Sequence, residues 1–205
     1  YSSAADSPRG SKCRPNETSH GQVQGPRPGL AALGPILLFS LALGFSAVWQ
    51  FQDSPFFGLP IIDEEAYVSW ASDIASGNWI GDKVFYQDPL YPYFLAALFA
   101  IFGKSYGLVR VVQVLLGSAS IVFVYLAAKK AMGEKPAVLA AMVLALYGGL
   151  YYFELILVKA TLALFMSALS CWLGVAAADA KTKKLPWVAL GASLGLLAGL
   201  LLGLS

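Results

Sequence analysis

The stretch GLAALGPILLFSLALGFSAVW, residues 29–49, decides the fold class because none of its 21 side chains carries a charge. A helix of this length covers roughly 31 Å, which matches the hydrocarbon core of a bilayer. The apolar core of a signal peptide is shorter, and a small-x-small cleavage motif follows it, to which Phe45-Ser46-Ala47 is a poor match. We therefore interpret residues 29–49 as an uncleaved first transmembrane helix.

The composition of the whole chain agrees with a membrane protein. Of its 205 residues, 58% are hydrophobic and only 13% are charged, whereas soluble domains average about 25% charged residues. These values exclude an ordinary soluble domain and a disordered chain, and the net charge of +2 gives no support for nucleic-acid binding. The cysteines, Cys13 and Cys171, and the single histidine, His20, are too few and too scattered for a zinc site or a disulfide framework.

Further apolar runs predict an all-α fold, a polytopic bundle of transmembrane helices. After the first span, we expect four more near 107–128, 137–153, 156–178 and 186–204. The apolar run at 89–103 reaches only about 22 Å, too little to span, so we expect a helix at the membrane surface there. Residues 29–205 are therefore predicted to form one transmembrane domain, with amphipathic juxtamembrane helices in its first outer loop, residues 50–106.

The distribution of charge predicts the orientation in the membrane. Residues 1–28 are rich in Ser, Pro, Gly and basic residues, and are predicted to be a disordered tail. If 89–103 does not span, this tail and the lysine-rich loops at 129–135 and 181–184 lie on one side, which the positive-inside rule assigns to the cytoplasm. The loop 50–106, with seven acidic and two basic residues, is then outside. We expect a multi-pass protein of the inner membrane with a cytoplasmic N terminus.

The two ends of the chain lack the features of a complete protein. The sequence begins at Tyr1 and stops at Ser205, at the end of an apolar run without a closing polar segment. We interpret it as the N-terminal piece of a longer protein. Because five spans form only part of a bundle, we expect this piece to be inactive by itself.

The acidic run Asp63-Glu64-Glu65 contains the first candidate site residues. With Tyr67 and the apolar residues that follow at helical spacing, it predicts a short amphipathic helix over 63–76. Acidic residues favour a helix N terminus electrostatically, and Asp63 has the position of an N-cap, so a purely structural role stays open. The alternative is that Asp63 and Glu64 face a cavity at the outer membrane surface, as a general base or as ligands of a divalent cation.

A second group of candidates follows in the aromatic segment FYQDPLYPY, residues 85–93. Asp88 as N-cap and Pro89 as first helical residue are a typical helix start. The density of aromatic residues, among them Tyr91, suits an interfacial belt or a wall on which a sugar stacks. Both the structural and the binding interpretation stay open for this segment.

Charged residues inside apolar runs form the third group: Arg110, Glu154 and Lys159. Charge within a span is costly and tends to mark a function or a paired contact. Glu154 and Lys159 flank the predicted turn between the third and fourth spans, so they either pair with each other, extend to the interface, or act in a site. In the predicted topology these groups gather at the outer face with Asp63 and Asp88, which suits an anionic, lipid-borne substrate.

The order of these elements resembles the N-terminal part of bacterial membrane glycosyltransferases of the GT-C superfamily. The resemblance covers residues 30–205 and is to the family-39 type, which includes protein mannosyltransferase-like and aminoarabinose lipid A transferase-like enzymes. It implies transfer of a sugar from a polyprenyl-phosphate-linked donor to a lipid, glycan or protein acceptor at the outer face of the membrane. The implied partners are this donor, the acceptor and membrane lipids, with no nucleic acid.

The resemblance also implies roles for individual residues. It maps the essential acidic residue of the first outer loop onto Asp63, with Glu64 beside it as a second catalytic candidate. The residues then expected to bind substrate or its phosphate are Tyr67, Asp88, Tyr91, Arg110 and Lys159. The one expected cofactor is a divalent metal ion held by Glu64 or Glu154. Many relatives have an aspartate where Lys159 stands, so Glu154 would have to supply that carboxylate here.

Two other functions compete with the enzyme. A transporter or flippase for lipid-linked sugars would use the same anionic-substrate contacts without breaking a bond. Transporters often have internal repeats and broken helices near the midplane, and the 205 residues contain no repeat. A membrane scaffold, whose charges only stabilise packing, is the other alternative. The acidic residues in an outer loop and the resemblance favour the transferase.

Overall fold

The computed structural model describes residues 28–78 and 88–178, and these residues form helices and loops without any strand. The predicted all-α fold is confirmed. Residues 1–27, the loop at 181–184 and the predicted span at 186–204 lie outside the described residues. The helices are α1 Pro28–Phe51, α2 Asp63–Ala75, α3 Leu90–Phe102, α4 Tyr106–Met132, α5 Glu134–Leu146, α6 Gly148–Leu155 and α7 Ala160–Ala178.

Two of the described helices are long and apolar enough to cross a membrane, α4 and the part of α1 at Ala31–Phe51. Helices α5 and α6 together make a third candidate, bent by 50° at a short break. The described part of α7 is a shorter apolar helix, Ala160–Ala176, and the four residues before it, where the predicted span at 156–178 begins, are not helical. The candidate site is arranged around this non-helical segment, residues 156–159.

Helix α4 is central to the bundle, since it packs against α1, α5, α6 and α7. It begins after Ser105, whose hydroxyl accepts a hydrogen bond from Leu108 N at 3.4 Å, and its last turn carries Lys129 and Lys130. Helix α5 faces the core with a row of fully buried alanines, Ala137, Ala141 and Ala145. Small side chains in this row allow close approach of the helix backbones, as is common in membrane bundles.

The predicted span at 137–153 is two helices in the structure, because the helix is interrupted at Tyr147. This residue has an extended backbone, with φ −75° and ψ 105°, and its ring lies over Gly149. A Cβ on Gly149 would come within 2.6 Å of the Tyr147 ring, so a larger residue at this position would displace the ring. The Tyr151 hydroxyl donates to Ala145 O at 2.5 Å and satisfies a carbonyl near the end of α5.

Helices α2 and α3 pack against each other, and neither is a candidate span. They agree with the predicted amphipathic helices at 63–76 and 89–103. The buried face of α2 contains Tyr67, Val68, Ala71 and Ile74 and shares one hydrophobic cluster with α3 and with Val109 of α4. Gly77 ends α2 with a φ of 109°, a conformation that glycine adopts without strain. The α2–α3 pair is thus held against the bundle beside the start of α4.

We expect Ala141→Leu to destabilise the protein by about 1–3 kcal/mol, because the larger side chain forces α5 away from the helices that it packs against. The matched control is Val143→Leu, since Val143 is 62% exposed on the same helix. Thermal unfolding of the two variants in the same detergent checks this expectation. Equal melting temperatures would contradict the close packing of the alanine row.

Candidate active site

The non-helical segment 156–159, between α6 and α7, is the centre of the candidate site. A helix break leaves backbone N–H and C=O groups without intrahelical partners, which is costly in an apolar environment. Side chains of α2, α4 and α7 supply the missing partners here. Gln113 Nε2 donates to Ile156 O at 3.0 Å, and Thr161 Oγ1 donates to Phe153 O at 2.9 Å. The break is therefore a built feature of the fold.

Glu64 connects α2 to this break. Its Oε1 accepts a hydrogen bond of 2.6 Å from Leu157 N, and its Oε2 accepts one of 3.4 Å from Ile61 N. The carboxylate is buried, and both of its oxygens bond to backbone N–H groups. Glu64 is a predicted catalytic residue and metal ligand. In the structure, its two carboxylate oxygens hold the backbone at Ile61 and Leu157 together, and we call this pair of hydrogen bonds the Glu64 clamp.

The Glu64 clamp also holds the turn at residues 61–62, directly before Asp63. Ile62 has a φ of 52° and a ψ of −112°, a region that strongly favours glycine, and Glu64 N donates to Ile61 O at 3.1 Å across the turn. Asp63 is the first residue of α2 and is exposed, and Ile62, not Asp63, is the N-cap. Asp63 is therefore not the N-cap, which was one of the two roles left open from the sequence, and its side chain is exposed at the start of α2.

Arg110 lies buried at the other side of the break. Its Nε donates to Leu155 O at 2.6 Å, and its Nη1 donates to Phe57 O at 2.9 Å. The guanidinium also stacks against the rings of Phe57 and Phe51, at 4.4 and 5.0 Å from their centroids. These contacts tie the end of α6 to the loop after α1, so the planar guanidinium acts as a cross-link near the site.

Lys159 and Asp88 form an ion pair at the end of the break. The Asp88 side chain is only 2% exposed, whereas that of Lys159 is 35% exposed. Lys159 therefore pairs with Asp88 and not with Glu154, which was one open alternative. The expected capping by Asp88 is also wrong, because Pro89 is the N-cap of α3 and no side-chain cap bond forms.

Two tyrosines fill the space between these charged groups. The rings of Tyr67 and Tyr91 meet edge to face, with centroids 5.0 Å apart. Burial raises the pKa of Tyr67 to about 12, and the carboxylates of Asp88 and Asp63 contribute to this rise. Burial also raises the pKa of Tyr91 well above its ordinary value, so both phenols are neutral hydrogen-bond donors at physiological pH. Among the described residues, the buried Tyr91 hydroxyl has no hydrogen-bond partner.

Glu154 lies apart from this cluster, in the packing between α6 and the helices α1 and α4. Its carboxylate contacts Gly44 of α1 and Gly117 of α4. In the described ranges, no three Asp, Glu, His or Cys residues lie together in a way that could hold a metal ion. The described residues thus do not fit a metal held by Glu64 and Glu154, and the metal stays a prediction from the sequence.

The structure thus brings most of the predicted residues together around one break: Asp63, Glu64, Tyr67, Asp88, Tyr91, Arg110 and Lys159. Sequence reasoning missed the part that Gln113 has in holding the break. A polar side chain inside a predicted apolar span is the one sequence signal that points to Gln113. Sequence reasoning gave no indication of the contact of Glu154 with Gly44 and Gly117.

We expect Arg110→Lys to destabilise the protein by about 2–4 kcal/mol, since a lysine cannot donate to both carbonyls and stack on two rings. The melting temperature and the yield of folded protein from membranes measure this effect. Normal stability combined with weaker substrate binding would contradict the cross-link and favour a direct phosphate contact.

Comparison with known families identifies the chain. A family model described as dolichyl-phosphate-mannose-protein mannosyltransferase matches residues 87–201, more than half of the chain. The match includes Asp88, Arg110 and Lys159, and it begins after Asp63 and Glu64. No curated protein and no solved structure matches the chain. The chain therefore belongs to the dolichyl-phosphate-mannose-protein mannosyltransferase family, whose members are membrane glycosyltransferases of the GT-C type.

Proposed function

We propose that this chain is part of an enzyme that transfers a sugar from a polyprenyl-phosphate donor to a hydroxyl group of a lipid, glycan or protein acceptor, at the outer face of the membrane. The description of the matched family, with a dolichyl-phosphate-linked sugar, supports this class of donor. The observation that carries the proposal is that two carboxylates lie close enough to Tyr67 to raise its pKa: that of the exposed Asp63, and that of Asp88, which forms the ion pair with Lys159.

Asp63 is the general base in this proposal. Asp63 and Glu64 are adjacent in sequence, but the Glu64 carboxylate is buried and accepts two backbone hydrogen bonds, whereas Asp63 is exposed. A base must reach the proton of the acceptor hydroxyl, and an exposed side chain is able to do so. Glu64 then acts as a positioning residue, because it holds both the turn before Asp63 and the break at Leu157.

Lys159 is the proposed phosphate ligand. Its side chain is partly exposed and forms an ion pair with the buried Asp88, which keeps the ammonium group at the site before substrate binds. A lysine ammonium suits phosphate as a compact point charge, and charge-assisted hydrogen bonds to phosphate oxygens are strong. Arg110 adds positive charge nearby while its own donors stay on the backbone carbonyls.

The proposed reaction is a single displacement at the anomeric carbon. Asp63 accepts the proton of the acceptor hydroxyl, and the acceptor oxygen forms a bond to the anomeric carbon of the donor sugar. The bond between that carbon and the phosphate oxygen breaks, and polyprenyl phosphate leaves with the electron pair. Lys159 stabilises the negative charge that develops on the leaving phosphate, and the neutral phenols of Tyr67 and Tyr91 are available as hydrogen-bond donors.

We expect Asp63→Asn to lower kcat by about 10²- to 10⁴-fold, the range that a positioned general base contributes. Turnover of labelled polyprenyl-phosphate sugars by membranes that contain the intact protein measures the effect. Glu65→Gln is the matched control, because Glu65 is exposed in the same helical turn. Equal turnover by wild type and Asp63→Asn would exclude Asp63 as the base. Release of the intact donor, without cleavage of its bond between sugar and phosphate, would favour a transporter.

We expect Lys159→Gln to raise KM for the donor by about tenfold or more, since one charge-assisted contact to phosphate is lost. Lys104→Gln, which removes an exposed lysine elsewhere, leaves KM unchanged. Asp88→Asn removes the carboxylate that competes with the donor phosphate for Lys159, and it leaves Lys159 in place. This variant therefore distinguishes an effect on donor binding from an effect on protein stability. If the pair is only structural, Lys159→Gln lowers the amount of folded protein and leaves the KM of the remainder unchanged.

A further inference from the structure

The loop between α1 and α2 contains an uncharged segment, SPFFGLPII, residues 54–62, between Asp53 and Asp63. Four large apolar side chains of this segment are exposed: Phe56 by 52%, Leu59 by 65%, Ile61 by 48% and Ile62 by 82%. We call these four side chains the loop patch. An exposed apolar cluster of this kind is typical of an interaction surface.

The loop is held to the helices at two points. Phe57 O accepts a hydrogen bond of 2.9 Å from Arg110 Nη1, and the Phe57 ring stacks on the same guanidinium group. Four residues later, Ile61 N donates to Glu64 Oε2 at 3.4 Å. Because these bonds order the loop within the protein, a partner does not have to order it on contact. The loop patch is therefore a preformed surface.

Ile62 is strained as well as exposed. Its φ of 52° and ψ of −112° lie in a region that glycine adopts easily and that is unfavourable for a branched side chain. With 82% of its side chain exposed, Ile62 gains little from packing within the described residues. Neither the backbone nor the packing favours an isoleucine here, which points to a contact that it makes outside the bundle.

The end of α1 indicates what that contact is. Helix α1 is long and apolar enough to cross a membrane, and it ends at Phe51. The centroids of the Phe57 and Phe51 rings are 6.1 Å apart, so the loop folds back on the end of this helix. Trp49, in the last turn of α1, is 72% exposed, as is typical of a tryptophan at a membrane interface. The lipid around the end of α1 is therefore the apolar phase next to the loop patch.

The charges on either side of the segment limit how deep it can lie. Asp53 and Asp63 are both exposed, and a carboxylate is unfavourable in hydrocarbon. The segment between them has no charge, so it can enter the membrane only as far as the two carboxylates stay among the headgroups. Apolar side chains at the boundary between headgroups and acyl chains are typical of segments that lie on a membrane surface.

We propose that the loop patch is a membrane anchor, which inserts its four side chains at the headgroup boundary of the same bilayer that α1 crosses. The anchor itself does not depend on the proposed reaction. Its consequence rests on the proposed function: insertion holds Asp63 at headgroup depth, where the phosphate and the sugar of a lipid-linked donor lie. The two anchored ends of the loop then transmit this depth to the Glu64 clamp and to Arg110.

The test measures contact with lipid directly. The intact protein, with every other cysteine changed to serine, Cys13 and Cys171 included, carries one environment-sensitive fluorophore at Leu59→Cys or at Ile62→Cys. It is reconstituted into vesicles of phosphatidylcholine with or without bromine on the acyl chains. For both positions we expect emission shifted to shorter wavelength and a loss of fluorescence in the brominated vesicles, with little quenching by iodide in the water.

The matched control is the same fluorophore at Ser69→Cys. Ser69 is exposed on α2, one helical turn from the exposed Glu65 on one side and from the exposed Asp73 on the other. A surface with these charges faces water. We expect the control label to emit at longer wavelength and to be quenched by iodide and not by the brominated lipid.

Three results would overturn the anchor. Loop labels that behave like the Ser69 label would place the loop in water, and short-wavelength emission that neither quencher affects would mean that another protein segment covers it. Lipid quenching of all three labels would mean that the contact is not specific to the loop. The labelled proteins are expected to melt at the same temperature in detergent, since all three positions are exposed. Because the fluorescence needs no turnover, the anchor and the proposed reaction fail or hold independently.

Discussion

The arrangement around the candidate site depends on one constraint, the need to satisfy the backbone groups of a helix that breaks inside an apolar bundle. The break at 156–159 exposes carbonyl and N–H groups that would be costly to bury alone. Arg110 and Gln113 donate to the carbonyls, and Glu64 accepts from Leu157 N. These side chains come from α4 and α2, so the break joins three parts of the chain.

This constraint gives buried charged residues a structural role in the domain. Charged residues in a span usually indicate a function or a pair, but Arg110 of α4 has backbone partners instead. The buried Glu64 of α2, outside the spans, also bonds to backbone groups. Their bonds hold the loop after α1, the start of α2 and the end of α6 in fixed relative positions. A precise site needs such support behind the groups that meet substrate. Asp63 is exposed and Lys159 is partly exposed, so these two side chains lie towards the surface.

Much of the fold could be predicted from sequence because it follows from local pattern. Apolar length identified α1 and α4, and helical spacing after Asp63 identified α2. The same pattern could not predict the bend at Tyr147, where the tyrosine ring lies over Gly149. It also could not predict that the helix of the fourth span begins only at Ala160, since the partners that stabilise the break are distant in sequence.

The membership of the candidate site was predictable, but the contacts within it were not. A motif indicates which side chains lie together. A hydrogen bond to a backbone group cannot be predicted in this way, because any residue type could supply that group, as Leu157 does for Glu64. Asp63 and Glu64 are likewise two adjacent acidic residues that the sequence does not distinguish, yet in the structure Asp63 is exposed and Glu64 is buried. Adjacent residues on a helix point in directions about 100° apart, so a pair of acids at a helix start divides naturally between an outward and an inward role. In the proposed function, two consecutive residues thus provide the general base and the residue that positions it.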